Sequence, residues 1–124
     1  MILVDSNIFI DFWKQKDPSL ESFFKNNEIA ICGIIHSELI HGAKTDKEIA
    51  MINRAMDSLF HINVEESDWV EIGLFLRKMR ESGLSLPFQD AVIAYLSIKS
   101  GFPIKTNDKH FRLMSVIDER IKLV

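Results

Sequence analysis

An α/β fold is what this 124-residue chain predicts: three layers, α/β/α, around a central, mostly parallel sheet of about five short strands. Two observations lead there. Short apolar runs recur along the chain, each too brief for a helix and consistent with a buried strand. Between them lie longer stretches whose apolar residues fall three or four apart, the period of a helix. Strand and helix patterns alternate, which is the order that produces crossover connections and parallel pairing. No linker, repeat or low-complexity stretch interrupts the pattern, so residues 1–124 read as one domain.

The first strand is the apolar start, Ile2-Leu3-Val4, followed at once by Asp5, Ser6 and Asn7. Asn7 to Trp13 reads as a short helix with Ile8, Phe9 and Phe12 on its apolar side. Asp17-Pro18 is a helix-start signal, a capping acid before a proline at the first helical position, for a helix to about Asn26. Ile29-Ala30-Ile31-Cys32 is a second buried strand, closed by Gly33. Ile34 to Ala43 follows as a helix with Ile35, Leu39 and Ile40 on its core side and Glu38 beside them. Thr45 and Glu48 form a capping-box pattern for a helix to Leu59. Phe60 to Val64 alternates apolar and polar, as a strand with one less buried face does. Ser67 is expected to cap a helix to about Ser82, with Trp69, Ile72, Leu76 and Met79 inward; Gly83 stops it. Pro87 opens a helix that is apolar nearly all round, hence central and buried, and Gly101 ends it. Phe102 to Lys105 is a short strand that leads into Thr106, Asn107 and Asp108. His110 to Met114 is a last short helix, and Ile121 to Val124 a fifth strand.

Composition narrows the function classes. An apolar share of 47% with 27% charged residues is ordinary for a globular protein. Cys32 is the only cysteine, which rules out an internal disulfide and a cysteine-based metal site, and a reducing cytoplasm fits. Asp5 and Asp11 break the apolar N-terminus, so no signal peptide is expected. No run reaches the ~18 apolar residues of a membrane span. A net charge of −3 argues against binding nucleic acid by bulk electrostatics, while leaving room for a local basic rim at Lys105, Lys109 and Arg112.

Four acids carry the chemistry. Asp5 and Asp108 each follow a strand, and a parallel sheet brings both to one edge. Glu38 lies on the helix after the second strand. Asp90 sits in the first turn of the buried helix, where the helix dipole favours an anion. Each has a plain structural alternative: Asp5 and Asp108 as helix caps, Glu38 as a solvated residue, Asp90 as a dipole partner. Together, four carboxylates at one sheet edge repel each other and need a hard cation to offset that. An all-oxygen set suits Mg²⁺ or Mn²⁺, whereas zinc ordinarily recruits cysteine or histidine. A cation so held polarises a phosphate and activates water. Ser6, Asn7, Thr106 and Asn107 are candidates to orient the acids. His110 could touch a phosphate or donate a proton, and is assigned to surface packing in preference to either. His36 and His41 flank Glu38 without a convincing partner, and Trp69 is assigned to the core.

These residues carry a resemblance. Val4-Asp5-Ser6-Asn7-Ile8-Phe9-Ile10-Asp11, Ser37-Glu38-Leu39 with Gly42, Asp90-Ala91-Val92-Ile93-Ala94 and Thr106-Asn107-Asp108-Lys109-His110-Phe111, in this order and spacing, resemble PIN-domain proteins. More narrowly, they resemble the VapC-type toxins of prokaryotic toxin–antitoxin pairs. The resemblance implies a PIN-like fold and an acidic site of Asp5, Glu38, Asp90 and Asp108, with Asp5 and Asp90 as the best-matched metal ligands. Thr106 and Asn107 fall at its supporting positions. It further implies a Mg²⁺- or Mn²⁺-dependent endoribonuclease acting on transfer or ribosomal RNA, a homodimer, and a small antitoxin that lays a peptide across the cleft. Tyr95 departs from the pattern, standing where a small residue is usual. Two rivals stay open. One is a Mg²⁺-dependent phosphatase or hydrolase with an aspartyl nucleophile, disfavoured because Asn7 stands where a second Asp is usual. The other is a non-catalytic domain whose acidic pocket receives a partner's arginine.

Overall fold

Four short strands, β1 (Ile2–Val4), β2 (Ile29–Cys32), β3 (Phe60–Ile62) and β4 (Ile104–Lys105), pair in parallel in the spatial order β3-β2-β1-β4. The computed structural model describes residues 1–124. Seven α-helices connect and cover the strands: α1 (Ser6–Trp13), α2 (Glu21–Lys25), α3 (Gly33–Gly42), α4 (Asp46–Asp57), α5 (Asp68–Glu81), α6 (Phe88–Ser100) and α7 (Lys109–Ile117). Every residue of β1 and β2 is buried, although successive side chains point to opposite faces, so both faces of the sheet centre are covered. None of the helices is long and apolar enough to cross a membrane.

The strand order sets the position of the site. The chain winds from β1 through β2 to β3 on one side, then returns to place β4 on the other side of β1. The winding therefore reverses between β1 and β4, and in open α/β sheets ligands bind outside the carboxyl ends of the strands at such a reversal. Leu3 pairs with both Ala30 and Ile104, and Val4 with Lys105, so the residues that follow β1 and β4 leave the sheet side by side.

The local signals explain most helix ends. Thr45 Oγ1 accepts from the Glu48 amide at 3.1 Å, while the Glu48 carboxylate reaches back to the amide of Lys44 at 2.7 Å, a capping box displaced by one residue. Gly83 and Gly101 close α5 and α6 with positive φ, the left-handed conformation that helix ends favour. Helix α6 is buried from Asp90 through Ala94 and again at Leu96 and Ser97, as its all-round apolar sequence requires.

Four expectations are corrected. The fifth strand shrinks to one parallel bridge, Leu123 to Ile104, because β4 is only two residues long and offers room for no more. The helix expected from Asp17 to Asn26 divides into a 3-10 turn (Pro18–Leu20) and α2; Asp17 accepts from the Ser19 amide at 2.9 Å and tightens the opening. Ser67 makes no capping bond. Asp68 holds that end instead, accepting from the Glu65 amide at 2.8 Å, from the Tyr95 hydroxyl at 3.0 Å and from Lys99 at 2.9 Å. Trp69 is therefore displaced to the surface, 46% exposed, and stacks on Phe88. The inward stripe of α5 is Ile72, Phe75 and Met79, with Leu76 half-buried.

Leu3 is fully buried between two neighbouring strands. Leu3→Ala is expected to lower the unfolding free energy by about 2–5 kcal/mol, the usual range for a leucine cavity in a packed core, measured by urea denaturation.

Candidate active site

Asp5 follows β1 directly and is both a helix cap and the centre of a hydrogen-bond network. Its Oδ1 accepts from the Ser6 amide at 2.8 Å, while Oδ2 accepts from the Thr106 hydroxyl at 2.6 Å and the Asn7 amide group at 3.2 Å. Thr106 lies beyond β4, so this contact joins the two strand ends across the winding reversal. The same Thr106 oxygen accepts from the Asp108 amide at 3.0 Å, which fixes the loop that carries Asp108. The Asp108 carboxylate caps α7 by accepting from the His110 amide at 2.9 Å.

Asp90 enters from α6 and Glu38 from α3. The His110 ring places Nδ1 3.1 Å from Asp90 Oδ2 and 3.3 Å from Asp108 Oδ1. One ligand atom each from Asp90, Asp108 and His110 lie within 4.8 Å of one another. Asn7 and Asn107 complete the frame: the Asn107 amide donates to Asn7 Oδ1 at 3.1 Å, and its side chain to Asp11 Oδ2 at 2.9 Å. Ser6 contributes its backbone amide; its hydroxyl makes no hydrogen bond.

The electrostatics follow from this crowding. Burial raises the pKa of Asp5, a rise that the Thr106 and Ser6 hydrogen bonds partly offset and the Asp108 charge reinforces. Burial raises Glu38, and Asp5, Asp90 and Asp108 push it further in the same order. Asp90 is raised by burial and by Asp108, against the opposing pull of His110. Glu38 Oε1 is sealed from solvent and meets no donor. An unpaired buried carboxylate oxygen is costly, and three further carboxyl groups around it make a proton or a cation its natural partner. The donor set, oxygens from four acids with one imidazole at the rim, fits a divalent cation of the Mg²⁺ or Mn²⁺ kind.

The four sequence-nominated acids lie near enough for their charges to act on one another, but only Asp90 and Asp108 form the tight group with His110; Asp5 and Glu38 stand outside it. Lys109 and Arg112 are exposed on α7, Lys105 is half-buried, and none of the three forms an ion pair. His36 lies outside the cluster, bonded to Asn53, and His41 takes no part in it. Two members escaped the sequence reading. His110 was assigned to surface packing, yet its ring bridges two of the acids; its place two residues after a capping acid, with the cap bonding its own amide, was the available signal. Asp11 stands one turn after Asn7 on the same helix face, the spacing that brings both to Asn107.

A separate apolar groove of about 640 Å³ opens between α1, α3 and α4, lined by Ile10, Trp13, Leu39, Met51, Ile52 and Ala55 among others. On α1, Ile8 and Phe9 are buried, and Trp13 is exposed at this groove.

A family model described as PIN domain matches residues 2–116. No curated protein matches the sequence. Among solved structures, the chain is similar to a DNA-bound VapBC from Salmonella typhimurium (TM-score 0.81, 20% identity, covering 100% of this chain and 98% of that one). It is also similar to VapBC2 from Rickettsia felis bound to a DNA fragment from their promoter (0.79, 22%, 100% and 98%). A third likeness is VapBC-5 from Mycobacterium tuberculosis, a member of the VapBC family of toxin-antitoxin systems (0.67, 19%, 99% and 96%). At these identities the likeness is one of fold.

A carboxyl whose pKa is raised on folding holds its proton more tightly in the folded chain. Its stabilising share is present at low pH and is lost as pH rises from the unperturbed 3.8 of Asp5 and Asp90 through the raised folded value. In chelator, the melting temperature is expected to fall as pH rises from about 4 toward neutrality, and Asp90→Asn to melt a few degrees above the unsubstituted chain at neutral pH. A lower melting temperature for the variant would count against a repelling cluster.

Proposed function

The chain belongs to the PIN-domain family, and we propose that it is the toxin of a toxin–antitoxin pair, an endoribonuclease dependent on Mg²⁺ or Mn²⁺ that cleaves transfer or ribosomal RNA. The observation that carries this reading is the meeting of Asp5, Glu38, Asp90 and Asp108 at the winding reversal, with one buried Glu38 oxygen lacking any donor. The toxin–antitoxin complexes among the similar folds support it.

Asp5 and Asp90 would hold the cation, with Glu38 and Asp108 completing its shell or orienting the attacking water. When bound, the cation supplies polarisation of the scissile phosphate and acidification of water. The chain's own share is positioning. Ser6, Asn7 and Thr106 fix both oxygens of Asp5, so that carboxylate is aimed before substrate arrives. Thr106 couples its position to that of Asp108. Glu38 has the free oxygen and a raised proton affinity, which suits it to accept a proton from water. Lys105, Lys109 and Arg112 add positive charge beside the acids for RNA phosphates, few enough that binding depends on fit more than on bulk charge.

The partners of this reading are RNA, a small antitoxin and a second copy of the chain. The apolar groove between α1, α3 and α4 has the lining that receives the apolar face of a partner helix. Trp69, Val70, Leu74 and Phe88 leave a second apolar surface on α5 and the start of α6 for self-association.

Purified protein incubated with total cellular RNA is expected to give discrete fragments in Mg²⁺ or Mn²⁺ and none in chelator. Asp5→Ala is expected to abolish cleavage with an unchanged circular dichroism spectrum, and Asp90→Asn to do the same. Cleavage that persists in either variant, or that ignores chelator, would overturn the assignment.

A further inference from the structure

We infer that His110 is a nitrogen ligand of the cation site and biases that site toward Mn²⁺ over Mg²⁺. The inference rests on the metal-dependent reading above and adds a ligand to it. The His110 side chain is 32% exposed and reaches from the surface into the acid cluster, with Nδ1 3.1 Å from Asp90 Oδ2 and 3.3 Å from Asp108 Oδ1. Neighbouring ligands of an octahedral ion with bonds of ~2.1 Å stand about 3.0 Å apart, so both spacings match those of adjacent ligands. A single ring N–H cannot serve two carboxylates well, whereas a cation between the three atoms serves all of them at once. The fold also fixes the backbone that carries the ring independently of any ion, because the His110 backbone amide donates to Asp108 Oδ1 at 2.9 Å.

The chemical consequence is selectivity. Mg²⁺ favours oxygen ligands and dehydrates reluctantly, while Mn²⁺ accepts imidazole more readily. A site of carboxylates alone would discriminate less between the two.

The test uses the full-length chain freed of metal, with Mn²⁺ and Mg²⁺ affinities from calorimetry and the electron spin-echo spectrum of bound Mn²⁺. The unsubstituted protein is expected to show modulation from a coordinated imidazole nitrogen. His110→Asn, which keeps a hydrogen-bonding amide at similar reach, is expected to lose that modulation and about tenfold in Mn²⁺ affinity, with Mg²⁺ affinity within about twofold. Mn²⁺ bound without imidazole modulation, or an equal loss of both cations in the variant, would overturn the role of His110 and leave the metal-dependent nuclease standing. Failure of the unsubstituted chain to bind either cation would overturn both readings. The unsubstituted spectrum decides the question even if the variant does not fold.

Discussion

Mutual repulsion among four carboxyl groups, two of them buried and two half-buried, is the constraint on which the rest of this structure depends. Burial and neighbouring charge raise the proton affinity of Asp5, Glu38 and Asp90 together. A chain can tolerate such a cluster only if other parts of the fold fix the groups firmly and if a counter-charge is available in use. The first condition is met by the caps and by Thr106. Its hydroxyl joins the ends of β1 and β4, residues 101 positions apart in the sequence. Pairing of those two strands therefore brings Asp5 and Asp108 to one edge of the sheet, where α3 and α6 add Glu38 and Asp90.

Capping and membership of the acid cluster are not competing explanations for Asp5 and Asp108. Each carboxylate caps the helix that follows it and also faces the other acids. The cap removes the side chain's freedom to swing away from like charge, and the entropy of aiming it is met during folding, before any ligand binds. The helix N-termini in turn ease the cost of holding negative charge there. The ordinary structural role is thus the means by which the unusual electrostatic arrangement persists.

Legibility in the sequence followed the range of the interactions. The strand-helix alternation and the order of short apolar runs were readable because each depends on residues near one another in the chain. Burial of both faces of β1 and β2 could be read from their unbroken apolar runs. What escaped depended on tertiary partners. Trp69 looked like core by spacing alone, but Asp68 takes the inner place once Tyr95 and Lys99 from α6 arrive to satisfy it. That also gives Tyr95 a use where the family resemblance anticipates a small residue. The last strand lost its ladder because its partner β4 is so short. His110 looked peripheral until the packing of α7 against α6 brought its ring to Asp90.

The acid cluster and the apolar groove share two helices, α1 and α3. On α1, Asn7 and Asp11 serve the site, while Ile10 and Trp13 line the groove. On α3, Glu38 faces the acids, and the next residue, Leu39, lines the groove. A helix transmits a displacement along its length because its backbone bonds close every turn. A partner that filled the groove would therefore press on the elements that set the spacing of Asp5 and Glu38. The two features are thus different sides of one pair of helices, a polar side toward the acids and an apolar side toward the groove.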